Sequence, residues 1–487
     1  MVSTSKNTLY LFTANIYQKF ISLIYLFLLA RFLGVENFGK YSFAFSFVIM
    51  FSIFLDLGLS TVLTREVARD EAKAKNYLNN IFSLKFFTSL IVFFLVFFLI
   101  NLSGYPSLTK NFVYLAALIM ILDSFSFSLY QVFRGYLNLK FEGIGIIVNR
   151  TISFIIGLIF IFLKLPPILI ILPILFGSIF YFLNALFFLK KRIGLSLSFS
   201  FDKPLIKFLF GLSLPFFIAG IFSQLFGTVD TVLLSFLKGD RAVGLYTSAQ
   251  KVVVAAGTLI GGSLAGALYP AFSYYFVRDK KQLSSLFNKT VFYLALIFLP
   301  SVFGILLLAR PLIFFVYGKE YLEAVKTLKI ISLSLPFMFL DYLILCLLNA
   351  CEKQKANTVN RGIAAFVLII SNLILIPLFS YLGSAIACIL GFSVLFLLGT
   401  YYSLKIVKID KKYLMGKIFG ILFATLIMSI FIFFLRDKLQ IMLLIGLAAI
   451  LYLSILYFFK ILGREEVNML KEIFKNSRFN SLIRNNS

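Results

Sequence analysis

The sequence predicts an all-α, polytopic membrane protein of about 14 transmembrane helices, arranged as two parallel six-helix lobes followed by two extra C-terminal helices. Three observations predict it. Hydrophobic residues make up 61% of the 487 residues and charged residues only 14%, whereas soluble domains carry about 45–50% apolar and about 25% charged residues. The apolar residues arrive in blocks of roughly twenty, the length that crosses a hydrocarbon core about 30 Å thick. A short loop motif also returns, at a constant offset, halfway along the chain.

The blocks lie near 8–30, 41–60, 81–101, 112–133, 144–163, 168–189, 208–236, 245–269, 290–309, 326–349, 362–378, 381–402, 414–435 and 440–459. The gaps between them are short and leave no room for a soluble domain. Met1 to Lys6 is too short and polar for a cleaved leader, so the first block reads as a mature helix. The segment Gly34-Val-Glu-Asn-Phe-Gly39-Lys-Tyr41-Ser42-Phe-Ala44 returns as Gly239-Asp-Arg-Ala-Val-Gly244-Leu-Tyr246-Thr247-Ser-Ala249, an offset of 205. Val148-Asn149-Arg150 returns as Val359-Asn360-Arg361, each opening the fifth span of its set. An even number of spans per repeat makes the halves parallel, an arrangement that places a substrate between them near the midplane. The expected units are 1–195 (helices 1–6), 196–403 (helices 7–12), 404–460 (helices 13–14) and a basic cytoplasmic tail, 461–487.

Net charge is +26. In a soluble protein that excess would suggest nucleic acid, but here the cations sit in the loops. One alternate set of gaps holds 31 of the 46 Lys and Arg residues and the other set holds 12. The positive-inside rule makes the richer set cytoplasmic, with both termini on that side of the cell membrane. There is no histidine, and the three cysteines, Cys346, Cys351 and Cys388, lack ligand spacing. His-based catalysis, a metal site and a disulfide framework are therefore not expected. No cofactor is expected, and no nucleic-acid partner.

Ionisable residues inside spans cost about 2.5–3.5 kcal/mol each on insertion scales, so they face a cavity or a partner. Lys19, with Asn15, Gln18 and Ser22 on the same helical face, is a candidate to line the space between the lobes and attract an anion; locking the bundle through a nearby acid is the other reading. Arg150 and Arg361 open equivalent spans and are candidates for phosphate recognition at the cytoplasmic mouth, or for snorkelling to anionic lipid. Asp123 and Asp341, partway along the fourth span of each set, are candidates for coupling to H+ or Na+. Asp230 and Lys251 lie at similar depth on neighbouring antiparallel helices, which favours a structural ion pair. Asp56 is expected to meet Arg65 or Arg69, and Lys85 to snorkel. Pro215, Pro300 and Pro336 interrupt helices of the second half.

The stretch Ala30-Arg31-Phe-Leu-Gly34-Val-Glu36-Asn-Phe-Gly39-Lys-Tyr41-Ser42 resembles the first-loop signature of polysaccharide exporters, the Wzx-type flippases. These belong to the multidrug/oligosaccharidyl-lipid/polysaccharide exporter superfamily. Thr64-Arg65-Glu66-Val67-Ala68-Arg69 is similar to their first cytoplasmic loop, and Val229-Asp230-Thr-Val-Leu-Leu-Ser235 leading into Val243-Gly244-Leu-Tyr246 is similar to their mid-chain run. The resemblance implies a 6+6 bundle, often with two added helices. It implies translocation of a polyprenyl-linked oligosaccharide. A monomeric, non-enzymatic transporter is expected, with membrane lipids and an anionic lipid-linked sugar as partners. The lipid II flippase and cation-coupled multidrug branches share the architecture and remain open. A membrane transferase would need a sizeable outer loop carrying catalytic acids, and the longest outer gap, 310–329, is too short.

Overall fold

The computed structural model describes residues 4–461. Among the described residues fifteen α-helices follow one another: α1 (Thr4–Asp56), α2 (Leu59–Arg69), α3 (Ala74–Leu102), α4 (Ser107–Gly135), α5 (Lys140–Phe162), α6 (Leu172–Phe188), α7 (Lys203–Gly257), α8 (Ser263–Arg278), α9 (Lys280–Tyr317), α10 (Ala324–Ser332), α11 (Leu335–Ala350), α12 (Gln354–Phe379), α13 (Tyr381–Ser403), α14 (Lys411–Leu435) and α15 (Ile441–Phe458). No strand occurs among the described residues. Among the described residues eleven helices are long and apolar enough to cross a membrane, twelve when α10 and α11, bent by 45°, are counted together as one span. The protein is a multi-pass membrane protein. Pro336 stands at the start of α11 and so marks that bend, because its ring cannot follow a continuing helix. The expected basic tail lies, beyond Ile461, outside the described residues.

Two helices are too long to be single spans. At 1.5 Å per residue the 53-residue α1 and the 55-residue α7 would each extend about 80 Å. Both break at a glycine: Gly34 has φ 69° and ψ 173°, and Gly239 has φ 79° and ψ −177°. That region of backbone space is essentially closed to residues with a Cβ. Each chain reverses there, so α1 and α7 are each a pair of antiparallel limbs.

The second glycine of each loop has a different task. A Cβ on Gly39 would overlap the backbone carbonyl of Asp240, and a Cβ on Gly244 would overlap that of Val35. Val35 and Asp240 are themselves related by the offset of 205. The two loops therefore clasp each other backbone to backbone, reciprocally, as a two-fold axis requires. Around the clasp, Tyr321 Oη donates to Ala30 O (2.7 Å), Arg31 Nε to Val316 O (2.8 Å), and Arg241 pairs with Glu323 (3.0 Å).

Helices α3, α4 and α5 pack on α1, with α2 and α6 packed on α4; α10, α12 and α13 pack on α7, with α8 and α9 packed on α11; and the main seam between these groups is α1 against α7. Helix α14 leans on α9, and α15 on α14. A repeat that the sequence did not reveal ties each group off. The amide of Asp202 donates to Asn80 Oδ1 (2.6 Å) and that of Asp410 to Asn288 Oδ1 (3.1 Å), an offset of 208 on both sides. Each aspartate then caps the next helix, Asp202 accepting from Leu205 N and Asp410 from Tyr413 N.

Two sequence expectations fail in the interior of the first group. Lys85 does not snorkel; it is buried, 2.7 Å from Asp56, and donates to Ser60 Oγ (3.2 Å) and to the Ser124 carbonyl (2.9 Å). Asp56 consequently meets neither Arg65 nor Arg69, both of which pair with Glu66 (2.9 and 3.2 Å). A charge this buried is retained only with a partner, so Lys85→Ala is expected to destabilise the protein by about 3–5 kcal/mol. The check is the thermal midpoint in detergent: a clear fall for Lys85→Ala, largely recovered in Lys85→Met/Asp56→Leu, where no charge is stranded.

Candidate functional site

The seam between α1 and α7 holds the candidate site. Ser22, Tyr25 and Tyr41 of α1, Arg150 and Ser153 of α5 and Lys251 of α7 line one cavity of about 210 Å³. Lys251 is exposed in mid-helix and lines this cavity. No acid lies within ion-pair distance of Lys251 or Arg150 among the described residues. Two cations and four hydroxyl groups thus converge with no anion of the protein's own. One turn along α1, exposed Lys19 donates its Nζ hydrogen to the carbonyl of Thr258 (3.2 Å), reaching across the seam. That carbonyl sits where α7 gives way to the π-turn Thr258–Gly262. Asn15 is exposed and Gln18 half-buried on the same face.

The expected ion pair between Asp230 and Lys251 is not what the structure contains. Asp230 accepts from Tyr246 Oη, from Gln250 Nε2 (2.9 Å) and from the amide of Thr231 (2.7 Å). Similar depth on adjacent helices did not mean facing side chains: Gln250 turns toward Asp230, and its neighbour Lys251, about 100° further round the helix, turns toward Arg150. At the 205-residue offset Asp230 corresponds to Tyr25 and Tyr246 to Tyr41. The second half buries an acid where the first half lines a cavity with phenols.

Arg150 and Arg361 do not form a common ring. Arg361 pairs with Asp341 at 3.1 Å and lines a second cavity, of about 250 Å³, together with Asp230 and Gln250. Asp341 thereby carries a cationic partner already. Asp123 differs. It lines a third cavity, of about 420 Å³, with Asp56, Ser124 and Gln224, and its Oδ1 is buried without a hydrogen-bond partner among the described residues. Gln224, from α7, closes this cavity across the seam by donating to Ser52 Oγ (3.0 Å). Of the sequence-derived candidates the structure brings Arg150 and Lys251 together, sets Lys19 nearby on the same seam, and separates Arg361, Asp341 and Asp230 into the other half. Tyr25, Tyr41 and Ser153 went unmarked in the sequence as cavity residues. Tyr41 carried a signal in the repeated loop motif; Tyr25 lies one helical turn beyond Ser22 on the polar face.

Comparison with known proteins agrees with this architecture. A family described as polysaccharide biosynthesis protein matches residues 4–276. A probable low-salt glycan biosynthesis flippase of Haloferax volcanii is 25% identical over 60% of this chain and 61% of its own length. The capsular polysaccharide biosynthesis protein CapF of Staphylococcus aureus is 25% identical over 56% of this chain and 69% of its own. The chain thus spans from about half to just over two thirds of the curated relatives that it matches. Among solved structures, the lipid II flippase MurJ in an inward closed conformation superposes with a TM-score of 0.75 at 20% identity, covering 93% of this chain and 99% of that one. That match shows the fold; with more than half of its length matched by the family, the chain belongs to the polysaccharide biosynthesis protein family.

Proposed function

We propose that this chain is a flippase that carries a lipid-linked oligosaccharide, joined to its polyprenyl carrier through phosphate, across the cell membrane by alternating access. The observation that carries the proposal is the seam cavity in which Arg150 and Lys251 converge without a protein anion, with Lys19 beside it. Two like charges lining one small cavity repel each other, and a phosphate-bearing guest relieves that repulsion through charge-assisted hydrogen bonds. The names of the archaeal flippase and the staphylococcal capsule protein support the same substrate class.

In this reading the glycine-broken α1 and α7 count as two spans each, bringing the total to fourteen. Residues 1–195 and 196–403 are the two lobes, and 404–460 are the two added helices. The face rich in Lys and Arg is cytoplasmic and carries both termini; the glycine clasp is on the outer face. The protein works as a monomer and catalyses no covalent chemistry. Asp123, with its unpartnered oxygen, is the carboxylate placed to take up H+ or Na+.

The test is reconstitution of the full chain in proteoliposomes with a fluorescent polyprenyl diphosphate-linked oligosaccharide loaded in one leaflet. Protein-dependent transfer to the other leaflet is expected. Transfer no faster than in empty liposomes would defeat the proposal.

A further inference from the structure

A second cationic pocket lies on the opposite side of the molecule from the basic loops. Arg310 at the outer part of α9, Lys319 in the following turn, Lys329 of α10 and Arg436 after α14 line a space of about 610 Å³, with Asp437 as its only acid. The lysine-lined groove at the start of α9, with Lys280, Lys281, Lys405 and Lys408, needs no special explanation, because the positive-inside rule places cations there anyway. The same rule depletes cations on the glycine-clasp face. Residues 314–321 are fixed to that face by Arg31 and Tyr321, so a four-cation cluster there has another cause.

The acids nearby in the chain are turned away from it. Glu323 is held by Arg241, and the carboxylate of Glu320 lies 2.8 Å from where a Cβ of Gly34 would stand. Arg310, Lys319 and Lys329 have no acid at ion-pair distance among the described residues, and Arg436 meets only its neighbour Asp437, at 3.5 Å. The rest of the wall is apolar: Leu307, Phe314, Leu322 and Val325. Arg436 also sits over the ring of Phe433 at 4.7 Å. Fixed cations beside an apolar wall at a membrane surface match one ligand chemistry, a phosphate headgroup attached to a hydrocarbon chain.

We infer that this pocket binds the phosphate headgroup of a lipid in the outer leaflet, its hydrocarbon lying along α9 and α14. The outer-leaflet assignment rests on the orientation proposed above, but the binding itself does not depend on translocation. A site of this kind would hold a carrier lipid as it leaves the protein, apart from the seam cavity that admits it.

The experiment is native mass spectrometry of the intact chain in detergent with polyprenyl monophosphate as probe and phosphatidylcholine as the zwitterionic control. Arg310→Gln/Lys329→Gln is expected to reduce polyprenyl monophosphate occupancy by about tenfold, the loss of two charge-assisted contacts, leaving phosphatidylcholine unchanged. Lys280→Gln/Lys281→Gln, which removes the same charge from the opposite face, is expected to keep occupancy. Equal loss in both variants, or loss in neither, would overturn the site. Retention of the lipid against equimolar inorganic phosphate assigns the pocket to a lipid; displacement by it would overturn a lipid as the occupant. Because nothing is transported in this measurement, its failure leaves the flippase reading standing, and a negative proteoliposome assay leaves this one standing.

Discussion

Gly39→Ala/Gly244→Ala is expected to abolish closure of the outer face while leaving the protein folded and inserted. A methyl group at either position overlaps a backbone carbonyl, Asp240 O or Val35 O. No rotamer change relieves that overlap, so the loops themselves must part. Overpacking of this kind costs about 1–3 kcal/mol per site. Two sites together exceed the few kcal/mol that separate the states of an alternating transporter. The helices behind the loops do not depend on the contact, because Gly34 and Gly239, which make the chain reversals, are untouched. Spin labels on Glu36→Cys and Lys238→Cys report the outcome, the native cysteines being buried. The double variant is expected to widen the label distance and to slow transfer by more than about tenfold. An unchanged distance distribution with unchanged transfer would mean that the clasp is packing and not a gate.

The clasp also shows what was legible in advance. The Gly-x4-Gly-x-Tyr pattern and its offset of 205 could be read directly from the chain, because reciprocal backbone contact tolerates no side chain at the second glycine. The all-α, multi-span class was equally open to reading, since hydropathy and span length follow from the bilayer alone. Partnerships among charges were not. Lys85 and Asp56 are 29 positions apart on different helices, and only the rotation of α3 about its axis brings them to 2.7 Å. The same rotational freedom let Gln250 take the place assigned to Lys251 at Asp230. Depth along a helix can be counted from sequence, whereas azimuth depends on packing that no single sequence displays. The straps from Asn80 and Asn288 escaped notice for another reason: the residues they hold, Asp202 and Asp410, lie in short polar linkers whose only mark is an aspartate before a helix.

Arg150→Gln and Lys251→Gln should each cut transfer of the lipid-linked sugar by about ten- to a hundredfold. That is the range for removing a hydrogen bond to a charged group worth about 1.5–3 kcal/mol. The stability readout separates a binding role from a scaffolding one. A residue that held the fold through an ion pair would, like Lys85, lower the thermal midpoint when neutralised, because its acid would be stranded. Arg150 and Lys251 have no acid at ion-pair distance among the described residues and share one cavity. Neutralising either one relieves repulsion between like charges, so the ligand-free midpoint is expected to hold or rise. Lys251→Arg, which keeps the charge, should retain most of the transfer. Added polyprenyl diphosphate should raise the midpoint of the wild type, as any ligand that binds only the folded state does, and do so less for either Gln variant. Transfer at the wild-type rate in both Gln variants would remove the seam cavity from the path of the phosphate. A fall in the ligand-free midpoint would instead assign these two cations to the framework of the fold.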